Sequence, residues 1–201
     1  MKKLAILIVG LIFANSVFAA GESASAVVRD TSERMLAALE KRRSDVDRNP
    51  QLIYGLVDDI LVPRFDFEKI TQGALGKQNW SKASPQQRKD LTNGFREVLI
   101  RTYAKALLSY SGEDIRYLPE KPGSRPSSVT VSTEVREPGA PPVPVDYRLY
   151  RKSGAWKVFD VVIDNVSLVS NYRSSFNAQI RKGGIDGLIR RLEDMNVKGK
   201  G

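Results

Sequence analysis

Apolar residues follow a helical period at both ends of the chain and a period of two in its middle. From Val27 they recur at spacings of three, four and seven residues, which predicts an amphipathic helix. After a charged break over 41–48, Asn49-Pro50 predicts the start of a second helix, which Pro63 ends. Residues 65–76 are then predicted to form a turn-like stretch and a short helix that closes at a glycine.

The fold class is indicated by a capped helix start and by a change in the spacing of apolar residues from a helical period to a period of two. Ser84, Pro85 and Gln87 supply an N-cap, a first-turn proline and a capping-box glutamine for the longest predicted helix, over about 85–109. Four strands are predicted next, over 114–118, 129–135, 145–150 and 156–163. Two further helices follow, over 167–180 and 185–194, separated by Gly183-Gly184. This order predicts an α+β fold, with helices packed on one side of a curved, mostly antiparallel sheet of about four strands.

The first residues have the pattern of a secretory signal. Lys2 and Lys3 precede an apolar run of about ten residues, and small residues then lead up to Ala19. The run is shorter than the roughly 20 residues that span a bilayer. We therefore predict a signal peptide over 1–19 that is cleaved, a single domain over 20–194 and a polar tail over 195–201, in a protein exported to the periplasm.

Composition excludes several chemistries. The chain has neither Cys nor His, which removes thiolate nucleophiles, thiolate metal sites and the commonest general base. No metal-ligand spacing and no glycine-rich phosphate loop is present, so no metal and no cofactor is predicted. The formal net charge is +9, or +7 without Lys2 and Lys3. In an exported protein this charge argues against nucleic acid as a partner and favours anionic lipid head groups or an acidic docking surface, with transient contact to a membrane surface.

The predicted helices and strands present apolar faces toward each other, which leaves three functions open. The faces can line a cavity for an apolar ligand, since periodicity does not distinguish a lined cavity from a filled core. They can instead pack directly in a periplasmic adaptor that binds no lipid. A third alternative is a small enzyme in which a buried Asp160 acts as a base beside the hydroxyl of Tyr103 or Tyr147. For Asp160 the competing interpretation is structural, with its carboxylate bonded to backbone or to an arginine.

Two stretches resemble a known family. The first runs from Phe65-Asp66-Phe67-Glu68-Lys69-Ile70 through Leu75-Gly76 and Trp80 to the capped helix start at 84–88. The second comprises Tyr147-Arg148-Leu149, the run from Trp156 to Val169, and then Asn171-Tyr172-Arg173 and Phe176. In this order the stretches resemble the MlaC family, also called the toluene-tolerance family. Asn165 stands where that family usually has Gly, and Asn is the residue that best tolerates a left-handed backbone after Gly.

The resemblance implies a non-enzymatic carrier. Members of the family are periplasmic proteins that hold phospholipid acyl chains in an apolar cavity between sheet and helices. They shuttle lipid between an outer-membrane lipoprotein complex and an inner-membrane ABC transporter complex, which maintains the lipid asymmetry of the outer membrane. On this reading the head group stays outside, because burial of its charge is costly. We predict that the acyl chains contact Leu56, Phe95, Leu99, Tyr103, Leu107, Val129, Val131, Val145, Tyr147, Leu149, Val158 and Val162.

Overall fold

The fold combines six helices with one antiparallel sheet, which confirms the α+β prediction. The computed structural model describes residues 22–123 and 127–198, and the predicted signal peptide over 1–19 lies outside them. The helices are α1 (Ala24–Lys41), α2 (Arg43–Arg48), α3 (Leu52–Leu56), α4 (Phe67–Lys82), α5 (Pro85–Leu108) and α6 (Leu168–Lys198). The strands are β1 (Asp114–Tyr117), β2 (Lys121–Pro122), β3 (Ser128–Arg136), β4 (Val143–Lys152), β5 (Ala155–Ile163) and β6 (Val166–Ser167).

Helix α1 begins earlier than its apolar spacing predicts, and a short, highly charged helix follows it. The Ser23 side chain accepts a hydrogen bond from the amide of Ala26 and begins α1 one turn before the apolar period. The prediction of a charged break over 41–48 was wrong, because Arg43–Arg48 forms α2. There Val46 is buried, and Arg43 pairs with Asp47 one turn further on at 3.1 Å. Val46 thus packs this charged helix on the core, and Arg43 Nη1 also donates to the Tyr110 carbonyl at 2.6 Å.

The segment between α3 and α4 departs from regular α-helix. Residues Val57–Leu61 form a π-helix, and a 3₁₀ turn over Val62–Arg64 ends it at the predicted proline. The turn-like part of the stretch predicted for 65–76 is instead helical from Phe67, where α4 begins with Asp66 as its N-cap. Gly76 (φ 76°, ψ 157°) leaves the helical backbone, as predicted for the end of a short helix, and a second helical part of α4 follows it and buries Trp80.

Strand order in the sheet is β1-β3-β4-β5-β6, with β2 also paired to β3. All these pairings are antiparallel. The four predicted strands correspond to β1, β3, β4 and β5, and the two additional strands contain two residues each. At the free edge of β5, Phe65 forms a parallel bridge with Val158, which ties the start of α4 to the sheet. The turn after β5 contains Asn165 with φ of 64°, the left-handed backbone that its position predicts.

A β-bulge reverses the alternation of side chains along β5. Arg148 pairs with Asp160 and Leu149 pairs with Val158, so Phe159 has no partner on β4. Before the bulge even-numbered residues such as Val158 share a face with Leu149. After it, odd-numbered residues such as Val161 take that face, as the pairing of Val161 with Tyr147 shows. A pattern that alternates without interruption therefore assigns the second half of β5 to the wrong face.

Helix α6 consists of two halves. Gly184 has φ of 67° and ψ of −171°, so the backbone leaves the helix there, at the predicted break. The second half returns along α5, where Leu192 is fully buried and Asn196 Nδ2 donates to the Gly94 carbonyl at 3.0 Å. The predicted polar tail from residue 195 is wrong at its start, because the helix continues to Lys198 and Met195 packs against the core.

Substitution of the two adjacent glycines at this kink should have opposite effects on stability. Gly184→Ala places a Cβ in a backbone region that is essentially restricted to glycine, which should cost about 1–3 kcal/mol of unfolding free energy. Gly183→Ala is the matched control, because a Cβ there meets no atom within 4 Å and its φ is not positive. It should be neutral or stabilise by up to about 1 kcal/mol. Urea unfolding of both variants measures the difference, and equal destabilisation would contradict a Gly-only backbone at 184.

Candidate functional site

A large apolar cavity in the described part of the chain lies between the sheet and α1, α4 and α5. Its volume is about 580 Å³, within the range typical of ligand sites. Apolar side chains dominate its wall, and they come from helices on one side and strands on the other. From the helical side these include Val28, Met35, Val57, Phe95, Leu99, Tyr103 and Leu107. From the sheet and its edge they include Phe65, Ile115, Val135, Val145, Tyr147, Val158, Val161 and Ile163.

Seven of the twelve residues predicted to contact acyl chains line this cavity. They are Phe95, Leu99, Tyr103, Leu107, Val145, Tyr147 and Val158. Their positions place them in one continuous wall, and their contact with a ligand stays a prediction. The other five do not line it, and they are Leu56, Val129, Val131, Leu149 and Val162.

Three physical reasons place these five residues elsewhere. Leu56 packs in the part of the helical core that contains Leu39, Val46 and Ile53, none of which lines the cavity. Val131 and Leu149 are fully buried in a filled core, and Val129 packs on its edge. This core adjoins the cavity along β4, since Tyr147 lines the cavity and Leu149 is two residues further on the same face of the strand. Val162 is on the opposite face, because the bulge at Phe159 reverses the alternation of β5.

One wall of the cavity was not predicted from the sequence. Helix α1 contributes six residues to the cavity, from Val27 to Leu36, although its apolar spacing was visible. Nothing in the sequence shows against which element that face packs. The π-helix adds Val57 and Leu61, and the start of α4 adds Phe67. Val161 and Ile163 were missed for the same reason that Val162 was wrongly included.

The cavity opens to solvent at one end of α5. The exposed residues of its wall are concentrated at the end of α5 and in the β3–β4 hairpin. They are Ala106, Ser109, Glu137, Ala140, Pro141 and Val143. We call this opening the mouth. Two carboxylate residues, Glu113 and Glu137, belong to the wall here, and hydrogen bonds from the amide and hydroxyl of Ser111 hold the pKa of Glu113 below its usual value.

Three tyrosines, Tyr103, Tyr110 and Tyr147, belong to the mostly apolar wall. Burial raises the pKa of Tyr147 to about 12, with a smaller contribution from nearby Tyr117. Burial likewise raises the pKa of Tyr103. Both hydroxyls are therefore protonated at neutral pH and can act only as neutral hydrogen-bonding groups. They add no charge to the cavity, which keeps its interior suited to hydrocarbon.

Asp160 is held by three partners in a structural arrangement. Arg148 Nη1 donates to Asp160 Oδ2 at 2.9 Å, and Ser167 Oγ donates to the same oxygen at 2.7 Å. The amide of Val169 donates to Oδ1 at 3.1 Å, so the carboxylate joins β5 to the start of α6. Both oxygens are occupied, which matches the structural interpretation of this residue. The arrangement gives no support to a base that acts beside Tyr103 or Tyr147.

A second buried carboxylate, Asp66, connects α4 to the outer face of β4. Its Oδ1 accepts from the Lys69 amide at 3.1 Å and caps α4, while Oδ2 accepts from Lys152 Nζ at 2.8 Å and from the Tyr150 hydroxyl. Burial alone would raise the pKa of Asp66, but these hydrogen bonds outweigh it and the pKa lies below the ordinary 3.8. The same contacts raise the pKa of Lys152. Asp66 thus fixes the start of α4, which forms part of the cavity wall.

The described residues contain neither a cluster of metal ligands nor a helix suited to span a membrane. No group of three or more Asp and Glu side chains comes together in them as a metal site. None of the helices over 22–123 and 127–198 combines the length and hydropathy needed to cross a membrane.

Fold and cavity together define a class: α+β proteins with an apolar cavity between a sheet and its helices. The family model described as MlaC protein matches residues 29–194. The chain therefore belongs to the MlaC family. A solved structure supports this, the phospholipid-binding protein from Ralstonia solanacearum in complex with a phospholipid. It is 33% identical, has a TM-score of 0.81, and the match covers 89% of this chain and 99% of that one.

Two curated relatives show the same relationship by sequence. The toluene tolerance protein ttg2D of Pseudomonas putida is 28% identical over 162 residues, which covers 80% of this chain and 74% of the relative. The intermembrane phospholipid transport system binding protein MlaC of Haemophilus influenzae is 24% identical over 170 residues, covering 83% and 79%. Most of the domain is thus shared with proteins named for phospholipid transport and toluene tolerance.

Proposed function

We propose that this protein is a periplasmic phospholipid carrier that holds acyl chains in the cavity and leaves the head group at the mouth. The observation that carries the proposal is the apolar cavity of about 580 Å³, open at one end, in a fold whose Ralstonia relative was solved with a phospholipid. The charged residues of the wall support this orientation. Glu113 and Glu137 lie at the mouth, whereas Asp160 is paired with Arg148.

The size of the cavity fits hydrocarbon chains. An apolar cavity of about 150 Å³ stays dry and binds one benzene ring of six carbons. By that comparison, 580 Å³ has room for on the order of 20 acyl carbons. At about 0.8 kcal/mol for each buried methylene, removal of these carbons from water is worth on the order of 16 kcal/mol. A carrier of this kind releases its lipid slowly into water, so delivery requires a receiving protein or membrane.

The family membership supports a place for this carrier between two membranes. The Haemophilus relative is named as the binding protein of an intermembrane phospholipid transport system. By that relationship, this protein exchanges lipid with an outer-membrane lipoprotein complex and an inner-membrane ABC transporter complex, and it helps to maintain the lipid asymmetry of the outer membrane. It performs this function without catalysis, since binding and release alone move the lipid.

Native mass spectrometry of the mature protein, purified without detergent, tests the proposal. We expect an added mass of one or two phospholipids, and extraction should recover lipids with the corresponding acyl chains. Delipidated protein should also take up labelled phospholipid from vesicles. A clean apo mass together with no uptake would contradict the proposal and favour an adaptor that binds no lipid.

A further inference from the structure

Basic residues are concentrated in one layer of the protein. Helices α4, α5 and α6 contain 14 Lys and Arg residues and six Asp and Glu residues. The other described residues contain 14 basic and 17 acidic side chains. The three helices pack on one another around a common core that includes Leu91, Phe95, Phe176 and Leu188. The positive charge of the protein therefore belongs to this layer and is not spread evenly over its surface.

Within the layer, the cations gather where α4 ends, α5 begins and α6 kinks. Two hydrogen bonds hold these three parts together, Asn79 Nδ2 to Asn177 Oδ1 at 2.8 Å and Gln87 Nε2 to Asp186 Oδ1 at 2.7 Å. Residues 77–90 and 177–190 contain seven basic and two acidic side chains. We call this region the basic end. Its exposed cations are Lys77, Lys82, Lys89, Arg181, Lys182 and Arg190.

The protein does not neutralise these six cations itself. None of them takes part in an ion pair among the residues that the structure describes. The two carboxylates of the region, Asp90 and Asp186, accept hydrogen bonds from Gln86 and Gln87. The large apolar side chains exposed elsewhere on the described surface, Val143, Val166 and Val197, all lie outside the basic end. A surface with charge and no apolar anchor lacks the buried centre of a typical protein interface.

The mouth lies at the opposite end of α5 from this region. Lys89 and Ala106 are 17 residues apart on the same helix, which corresponds to about 25 Å. We propose that the basic end binds the anionic surface of a phospholipid bilayer, with the mouth directed away from it. Lysine and arginine at an anionic leaflet each contribute roughly a factor of five in affinity, within a distance set by the ionic strength. A bilayer suits a cluster that consists of charge alone, because its head groups adjust to the positions of the cations.

Flotation with vesicles tests the surface without reference to the cargo. The mature protein should bind vesicles that contain 30% phosphatidylglycerol at low salt, and it should not bind pure phosphatidylcholine. The triple variant Lys82→Gln, Lys89→Gln, Lys182→Gln should bind on the order of 100-fold more weakly. The triple variant Lys41→Gln, Lys105→Gln, Lys121→Gln removes the same charge from exposed positions elsewhere and should lose much less. Equal losses, or no binding by the unaltered protein, would overturn the proposal.

Orientation on the vesicle can be measured directly because the chain has no Cys. A fluorophore attached at Ser81→Cys marks the basic end, and one at Ala140→Cys marks the mouth. Both positions are exposed. Anionic vesicles should protect the label at 81 from an aqueous quencher and leave the label at 140 accessible. Protection at 140 alone would mean that the protein binds with its mouth on the bilayer, which would overturn the proposed orientation. The lipid content of all variants, measured in parallel, separates this result from a failure of lipid carriage.

Discussion

Leu99→Arg should produce a folded protein that contains no phospholipid. Leu99 lies on α5 in the cavity wall, and its side chain is 8% exposed. Arginine stays charged at every relevant pH, and its guanidinium would stand in the space proposed for the acyl chains. An unpaired charge among hydrocarbon costs several kcal/mol, which corresponds to at least a 100-fold loss of affinity for the lipid. Lipid extraction and native mass spectrometry of the purified variant measure this loss.

A second arginine variant separates the effect of position from the effect of charge. Val197 is 67% exposed near the end of α6 and lies outside the cavity wall. Val197→Arg adds the same charge and should retain the lipid content of the unaltered protein. Circular dichroism and urea unfolding establish that Leu99→Arg is folded before its lipid is measured. A folded Leu99→Arg protein with unchanged lipid content would show that this wall does not contact the acyl chains.

Asp66→Asn should lower the free energy of unfolding by about 2–4 kcal/mol. The substitution removes the charge that Lys152 and the Tyr150 hydroxyl contact, although Asn can still cap α4. The cost comes mainly from the buried position of residue 66 and from the Tyr150 hydroxyl, which loses a charged acceptor, because the Lys152 side chain is 48% exposed and regains water. In a domain of this size the change corresponds to roughly 5–15 °C in Tm. Asp66→Ala should cost about 1 kcal/mol more, since it also removes the N-cap.

The contribution of Asp66 should depend on pH in one direction. In the folded protein its pKa lies below the ordinary 3.8, so the folded state favours the charged carboxylate. The stabilisation is therefore complete above about pH 5 and is lost as the pH falls through the folded-state pKa. The stability difference between the unaltered protein and Asp66→Asn should be constant from about pH 5 to 7 and shrink below about pH 4.

An exposed carboxylate provides the control for these measurements. Asp59 lies on the π-helix with its side chain in solvent. Asp59→Asn should change the free energy of unfolding by no more than about 0.5 kcal/mol. If Asp66→Asn is as stable as Asp59→Asn, or if its deficit grows on acidification, the role given to Asp66 is wrong.

The sequence predicts most of the fold because local signals agree with the final contacts. The capping box at Ser84 and Gln87 forms as predicted and begins α5 at Pro85. The strand predicted over 129–135 and the break at Gly184 also match the structure. Predictions failed where a local signal was overruled by packing. The charges over 41–48 suggested a break, yet Arg43–Arg48 is helical and buries Val46.

The cavity wall was predicted only in part, because some residues line it only as a result of contacts with residues that are distant in the sequence. The buried face of α5 follows from its own spacing, so Phe95, Leu99, Tyr103 and Leu107 are correctly placed in the cavity wall. Along the strands, the spacing of apolar residues identifies which face of the sheet they share. It does not show where along that face the cavity ends and a filled core begins. Val131 and Leu149 lie in the filled core. The bulge at Phe159 has no signature in the sequence, and it alone exchanges Val162 for Val161.

The return of α6 along α5 has a consequence for how the protein folds. Its hydrogen bonds join residues about 100 positions apart, from Asn79 to Asn177 and from Gly94 to Asn196. Contacts of such long sequence separation form late, since a large loop must close before they stabilise anything. Leu91 is completely buried in the same core as Leu188 and Leu192. The chain therefore cannot complete this core until its last helix is available, which makes the final 15 or so residues of α6 a condition for folding and not an appendage to it.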